Sequence, residues 1–146
     1  MKDSSGNEDL IEFENRGNAL AEQYSAIEVM DSVYINGKFT LGENIGDLGG
    51  LLGAYDGLQL FFDEEGRPED IDGFTAEQRF FMSWATVWRT LTRPDALRTQ
   101  IKTDPHSPGI YRATQPLKNI DAFYEAFNII EGDAMYLSPD KRVRIW

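Results

Sequence analysis

The chain has 146 residues, which is enough for one domain with a single buried core. It is 41% hydrophobic, which excludes a disordered acidic tail, and its formal net charge of −11 repels phosphate backbones and argues against nucleic-acid binding. It contains no cysteine and one histidine, which excludes disulfides and leaves too few ligands for a conventional zinc site within the chain.

The N-terminus carries no sign of a targeting segment. Residues 1–9 lack the apolar stretch of a signal peptide, and no run in the chain approaches the roughly 20 apolar residues of a membrane span. We therefore expect no membrane segment here, and a start that lies at a point within a longer chain.

Two helices and a short extended segment are predicted in the first part of the chain. The first helix is marked by apolar or small residues at three- and four-residue intervals: Leu10, Phe13, Gly17, Leu20, Tyr24 and Ile27. Residues 32–39 are predicted to be extended or hairpin-like, with the turn at Asn36-Gly37. Thr40 then opens a second helix, because Thr40 and Glu43 match a capping box.

The second helix is apolar around its circumference, which predicts substantial burial. It also contains six glycines, each of which disfavours a helix by up to about 1 kcal/mol. A closely crossing backbone or a tight site would explain them, and the sequence leaves both explanations open. The glycines are Gly42, Gly46, Gly49, Gly50, Gly53 and Gly57.

The second half of the chain is predicted to be helical with one constrained loop. A capping box at Thr75 and Gln78 begins an aromatic-rich helix, and Pro94 begins another that runs to about residue 102. Two prolines and a glycine in residues 104–109 preclude regular helix there. A last helix spans about residues 119–128, and an irregular tail follows. The fold class is therefore mainly α, as one domain over residues 1–146.

The polar residues that stand out each have an ordinary structural interpretation. Glu43 and Asp47 lie four residues apart on one helix face, where spacing alone favours capping over catalysis. His106, in a proline-rich loop, fits a surface or packing residue, and Arg112 fits a partner for one of many acids. Trp84 and Trp88, at helical spacing, fit a core position.

Several motifs taken together, however, resemble the neprilysin-type zinc endopeptidases. Residues 42–50, Gly-Glu-Asn-Ile-Gly-Asp-Leu-Gly-Gly, resemble the Glu-Asn-Ile-x-Asp-x-Gly-Gly signature of that family. Residues 78–88 resemble its aromatic helix, residues 101–112 its substrate-facing loop, and residues 119–127 with the terminal Arg144-Ile145-Trp146 its last helix and C-terminus. The resemblance covers residues 13–146 and implies the C-terminal part of a thermolysin-like (gluzincin) catalytic domain.

The resemblance also implies a role for each polar residue. The position matching Glu43 is a zinc ligand, and the position matching Asp47 holds a zinc-ligating histidine by a hydrogen bond. The position matching His106 donates to the oxyanion of the tetrahedral intermediate, and the position matching Arg112 contacts a carbonyl oxygen of the peptide substrate. Zn²⁺ is the implied cofactor, with one of its three protein ligands in this chain.

One departure from the family pattern is large. The His-Glu-x-x-His helix that supplies the other two zinc ligands lies upstream of the signature in that family, and these residues do not contain it. We expect another polypeptide or an upstream segment to supply it, and the isolated chain to be inactive. The alternative is a non-catalytic remnant that serves as a binding or structural module. A calcium-binding module is disfavoured because no Asp-x-Asp-x-Asp-Gly loop is present. The family resemblance implies an extracytoplasmic location.

Overall fold

The computed structural model describes residues 5–146, with side chains from residue 7 onward. Residues 1–4, on which the expectation about a signal peptide partly depends, lie outside the described residues. The chain forms two compact units. Unit 1 comprises Met1–Gly46, Thr92–Pro108 and Val143–Trp146, and unit 2 comprises Asp47–Leu91 and Gly109–Arg142. The single domain predicted over residues 1–146 stays a prediction, since two compact units can belong to one domain.

The elements confirm a mainly helical protein. In chain order they are α1 (Ser5–Ser25), β1 (Glu28–Met30), β2 (Val33–Tyr34), α2 (Leu41–Glu65), α3 (Ala76–Val87), α4 (Pro94–Thr103), α5 (Gly109–Thr114), a 3-10 turn (Pro116–Asn119), α6 (Asp121–Phe127) and a second 3-10 turn (Pro139–Lys141). The two strands pair antiparallel. Across residues 5–146 no helix is long and apolar enough to cross a bilayer.

Helix α1 organises unit 1. Leu20 and Tyr24 are fully buried, and the Leu41 side chain packs beside Gly17. Arg16 Nη1 donates to the carbonyl of Ile145 at 3.2 Å, which ties the C-terminal residues to this helix. The predicted apolar stripe is thus buried in its C-terminal half, whereas its first members, Leu10 and Phe13, are exposed.

The segment predicted to be extended or hairpin-like is extended at Val33–Tyr34, but the hairpin turn predicted at Asn36-Gly37 is wrong. The turn of the observed hairpin lies between β1 and β2, before Val33. There Ser32 takes a positive φ of 55°, and its amide donates to the Glu28 carboxylate. Gly37 instead approaches α1 so closely that a Cβ would collide with the carbonyl oxygen of Ala21. Its N–H donates to Ser25 Oγ at 3.1 Å, so the glycine serves a close approach and no hairpin turn.

Unit 2 is built on an aromatic core. Phe81 of α3 stacks on Tyr55 of α2, with ring centroids 5.3 Å apart, and packs edge-on against Phe123 of α6 at 5.5 Å. The capping box predicted before α3 is confirmed in both directions. Gln78 N donates to Thr75 Oγ1, and Thr75 N donates to Gln78 Oε1.

The glycines of α2 have open space beside them. An added Cβ would meet no other atom within 4 Å at five of these positions, namely Gly42, Gly46, Gly50, Gly53 and Gly57. Within the described residues no backbone crosses beside these five glycines, and both explanations of the glycines stay predictions. The prediction of a buried helix holds for Leu48 and Leu51, but Leu60 and Phe61 are 64% and 54% exposed.

Candidate functional site

Helix α2 supplies the first two candidate residues from its N-terminal turns. It begins at Leu41, directly after Thr40, as the capping pattern predicts. Glu43 belongs to unit 1, and Asp47, one helical turn later, is the first residue of unit 2.

In unit 1, Glu43 contacts the only histidine of the chain. Glu43 Oε2 lies 3.3 Å from His106 Nε2, and Asp104 Oδ1 lies 2.6 Å from His106 Nδ1. Asp104 Oδ1 also accepts from the His106 backbone amide at 3.0 Å, which fixes the turn of the loop. A neutral imidazole has one N–H, so only the protonated ring can donate to both carboxylates. We name these three residues the histidine cluster; their side chains are 43–45% exposed.

A buried chain of hydrogen bonds holds the histidine cluster together. Ser107 Oγ donates to Asn44 Oδ1 at 2.9 Å, and Asn44 Nδ2 donates to Thr40 Oγ1 at 2.9 Å. Thr40 Oγ1 in turn donates to the carbonyl of Asn36 at 3.2 Å. Asn44 and Ser107 are 0% and 1% exposed, and a buried polar chain with its partners in place is rigid. Because Glu43 precedes Asn44 and His106 precedes Ser107, this chain of hydrogen bonds holds Glu43 and His106 next to each other.

In unit 2, Asp47 and Arg112 form a bidentate ion pair. Arg112 Nε donates to Asp47 Oδ2 and Arg112 Nη2 donates to Asp47 Oδ1, both at 2.7 Å. The Arg112 side chain is 13% exposed and the Asp47 side chain is 7% exposed. Planar, parallel hydrogen bonds of this kind fix orientation as well as distance. The structure therefore brings together two residues to which the sequence assigned separate roles.

Two tryptophans predicted to be core residues lie against Arg112. The guanidinium carbon stands 3.9 Å from the centre of the Trp88 ring, within the range of a cation–π contact. Trp84 Nε1 donates to the backbone carbonyl of Arg112 at 3.2 Å. Both tryptophans are half-buried, so the interpretation of Trp84 and Trp88 as plain core residues is incomplete.

The residues that are present can hold part of a metal site. In the described part of the chain no group of three or more His, Cys, Asp or Glu side chains could hold a metal ion. The half-exposed Glu43 carboxylate is a suitable oxygen donor for zinc, and one donor is what the sequence predicts from this chain. The chemistry of this donor therefore fits one ligand position of a zinc site.

Three polar residues of the site were missed by sequence reasoning. Asn44, Asp104 and Ser107 all lie inside the two motifs quoted above, yet none was given a role. The signal for Asn44 was available, since an amide between Glu43 and Ile45 in an apolar helix needs a buried partner. Nothing in the sequence identified Ser107 as that partner, because the two residues are 63 positions apart.

Comparison with known proteins shows the family. The sequence profile of Peptidase family M13 matches residues 1–143. The chain is 38% identical over 138 residues to membrane metallo-endopeptidase-like 1 of Mus musculus, covering 92% of this chain and 18% of that protein. It is 35% identical over 138 residues to neprilysin of Homo sapiens, again covering 92% of this chain and 18% of that protein.

Solved structures agree with the sequence relatives. The crystal structure of zinc metalloprotease ZMP1 of Mycobacterium tuberculosis, in complex with an inhibitor, matches with a TM-score of 0.88 and 44% identity, covering 93% of this chain and 22% of that one. The chain spans about a fifth of the length of the curated relatives it matches. On the profile match and these likenesses, the chain belongs to peptidase family M13.

Proposed function

We propose that the chain is the C-terminal catalytic segment of a zinc-dependent metalloendopeptidase that hydrolyses small to medium peptides. The observation that carries this proposal is the 3.3 Å contact between Glu43 and His106. It sets the proposed metal ligand beside the proposed oxyanion donor, and a zinc peptidase needs both groups close to the carbonyl that reacts. Membership of family M13 supports the same assignment.

Each residue has a role in this proposal. Glu43 donates a carboxylate oxygen to the metal, which when bound polarises the scissile carbonyl and acidifies a water molecule. His106 donates to the oxyanion, and Asp104 holds its ring through Nδ1. Asp47 orients a zinc-ligating histidine from other polypeptide, and Arg112 binds a carbonyl oxygen of the peptide substrate. The bidentate pair with Asp47 fixes the direction of the Arg112 guanidinium.

The proposal includes a polypeptide partner. The remaining zinc ligands and the general base come from a His-Glu-x-x-His helix outside these 146 residues, because this chain has a single histidine. The chain by itself is therefore inactive towards peptides. A location outside the cytoplasm is part of the proposal, and it is supported by relatives such as membrane metallo-endopeptidase-like 1.

Reconstitution tests the proposal. The chain is mixed with a polypeptide that carries the His-Glu-x-x-His part of an M13 relative, and bound zinc and cleavage of a fluorogenic peptide are measured. We expect zinc and activity in the mixture and neither in the chain alone. The isosteric variant Glu43→Gln should lose zinc, whereas His106→Gln should keep zinc and lose about 10²–10³-fold in kcat.

Glu64→Gln is the matched control, because it removes a carboxylate from an exposed position of the same helix. It should leave zinc binding and activity unchanged. An assembly in which Glu43→Gln retains both zinc and activity would overturn the metal role. An assembly that binds zinc and never cleaves peptides would favour the non-catalytic binding module.

A further inference from the structure

Arg112 is held by more contacts than its ion pair with Asp47. The end of α3 supplies two of them: the Trp88 ring lies against the guanidinium, and Trp84 Nε1 donates to the Arg112 carbonyl. The two indole rings also contact each other, edge to face, with centroids 5.6 Å apart. The backbone of Arg112 is thereby held by Trp84, and its guanidinium is held by the ring of Trp88.

The backbone geometry at Gly109 supports the same arrangement. An added Cβ at Gly109 would lie 2.6 Å from Thr90 Oγ1 and 2.8 Å from the Trp88 carbonyl oxygen. Only glycine therefore lets the start of α5 approach the segment that follows α3. Arg112 lies three residues further along α5, nearly one turn on, which brings its side chain to the ring of Trp88.

The indole N–H of Trp88 has no hydrogen-bond partner among the described residues. Its Nε1 atom is buried. A tryptophan in a structural position normally satisfies this donor when it is buried, and leaving it unmet costs stability. Among the described residues the ring is therefore held by its contacts with Arg112 and Trp84 and not by a hydrogen bond.

From these contacts we infer that Trp88 is a positioning residue for Arg112, with Trp84 holding the backbone of the same arginine. The inference rests on the proposed role of Arg112 in binding a substrate carbonyl. Asp47 fixes the guanidinium within its plane, and the Trp88 ring fixes the tilt of that plane. An arginine held in both directions presents its donors to a peptide carbonyl without an ordering cost at the moment of binding.

A spectroscopic test uses the intact chain and needs no activity. The Nε–H signal of Arg112, assigned through Arg112→Lys, is followed by ¹H–¹⁵N NMR in Trp88→Leu, Trp88→Phe and the control Trp146→Leu. We expect the ring of Trp88 to shift this signal upfield. Trp88→Leu should return it to the range of the other arginines, and Trp88→Phe should retain part of the shift. Trp146→Leu, an equal change at a 74% exposed tryptophan, should leave it unchanged.

A kinetic test uses the reconstituted assembly. Because Arg112 is proposed to bind the substrate before and during reaction alike, Trp88→Leu should raise KM roughly tenfold and change kcat little. Trp88→Phe should recover most of the loss. An unshifted Arg112 signal in the wild-type chain, or a signal that Trp88→Leu leaves in place, would overturn the inference.

Two further outcomes separate this inference from the proposed function. If Trp88→Leu fails to fold, Arg112→Lys tests the contact between the Trp88 ring and the Arg112 guanidinium by removing the guanidinium. The indole signal of Trp88 should then move while that of Trp146 stays, and an unmoved Trp88 signal refutes the contact. A wild-type assembly without activity, in a chain whose Arg112 signal behaves as expected, refutes the proposed function and leaves the stacking contact established.

Discussion

Removal of one partner from the Asp47–Arg112 pair should destabilise unit 2 strongly. The two side chains are 7% and 13% exposed and share two hydrogen bonds of 2.7 Å. Loss of one member of a buried pair typically costs about 3–5 kcal/mol, because the other charge is left without compensation. Asp47→Asn retains one acceptor oxygen, so we expect the lower end of that range, about 3 kcal/mol.

The measurement is a double-mutant cycle read by native-state hydrogen exchange. Backbone amides of α3 and α6 report the opening free energy of unit 2 in the wild type, Asp47→Asn, Arg112→Gln and the double variant. If each single variant costs about 3 kcal/mol, the double variant should cost about 4, because it leaves no unpaired charge, and the coupling energy is then about 2 kcal/mol.

The exposed pair Glu12–Arg16 provides the control. Its side chains are 59% and 37% exposed, so Glu12→Gln should change the opening free energy by no more than about 0.5 kcal/mol. The reasoning about the buried pair would be refuted by single variants at Asp47 and Arg112 that cost less than about 1 kcal/mol. It would equally be refuted by a double variant whose cost is the plain sum of the two.

Three further predictions concern the rest of the chain. Gly37→Ala should destabilise unit 1 by about 1–3 kcal/mol in native-state hydrogen exchange, because its Cβ collides with the backbone of Ala21. Gly53→Ala, with open space beside it, should stabilise its helix by up to about 1 kcal/mol in the same measurement. The pKa of Tyr55 is raised above its usual 10.0 by burial and then by the charge of Glu125, so its contribution to stability is complete below the unfolded pKa and is lost as the pH rises through the folded pKa. Ultraviolet titration of the wild type against Tyr55→Phe measures this pKa, which Glu125→Gln should lower; an unchanged value would contradict the assignment. Thermal unfolding of the isolated chain should depart from two-state behaviour, with a calorimetric enthalpy different from the van't Hoff enthalpy; one sharp monomeric transition would contradict this.

The helices could be predicted from the sequence because their signals are local. Thr75 with Gln78 marked the start of α3, and Pro94 marked the start of α4, in both cases at the residue that the structure shows. The short α5 was missed, because residues 104–109 were expected to be a loop and its six residues are too few for a periodic pattern. The hairpin turn was misplaced because Asn-Gly favours a turn by its backbone freedom, and the same freedom also serves the close approach of Gly37 to α1.

The sequence suggested which residues belong to the candidate site, but not which of them contact one another. Family resemblance proposed Glu43 and His106 as site residues, but local spacing could not reveal their contact, because they are 63 residues apart in the chain. The stacking of Arg112 on Trp88 was likewise hidden, since tryptophans at helical spacing are typical of any buried helix face. Long-range pairing depends on tertiary packing, which a single sequence does not encode in a readable pattern.

The hydrogen-bond chain through Thr40, Asn44 and Ser107 has a consequence for anyone who wishes to transplant this half-site into another scaffold. Residues 36–44 and 104–108 would have to move as one block, since either piece alone would carry an unmatched amide or hydroxyl into its new host. Under the roles proposed for Glu43 and His106, affinity for metal and affinity for the reacting carbonyl would be inherited together, and a substitution at Asn44 should change both.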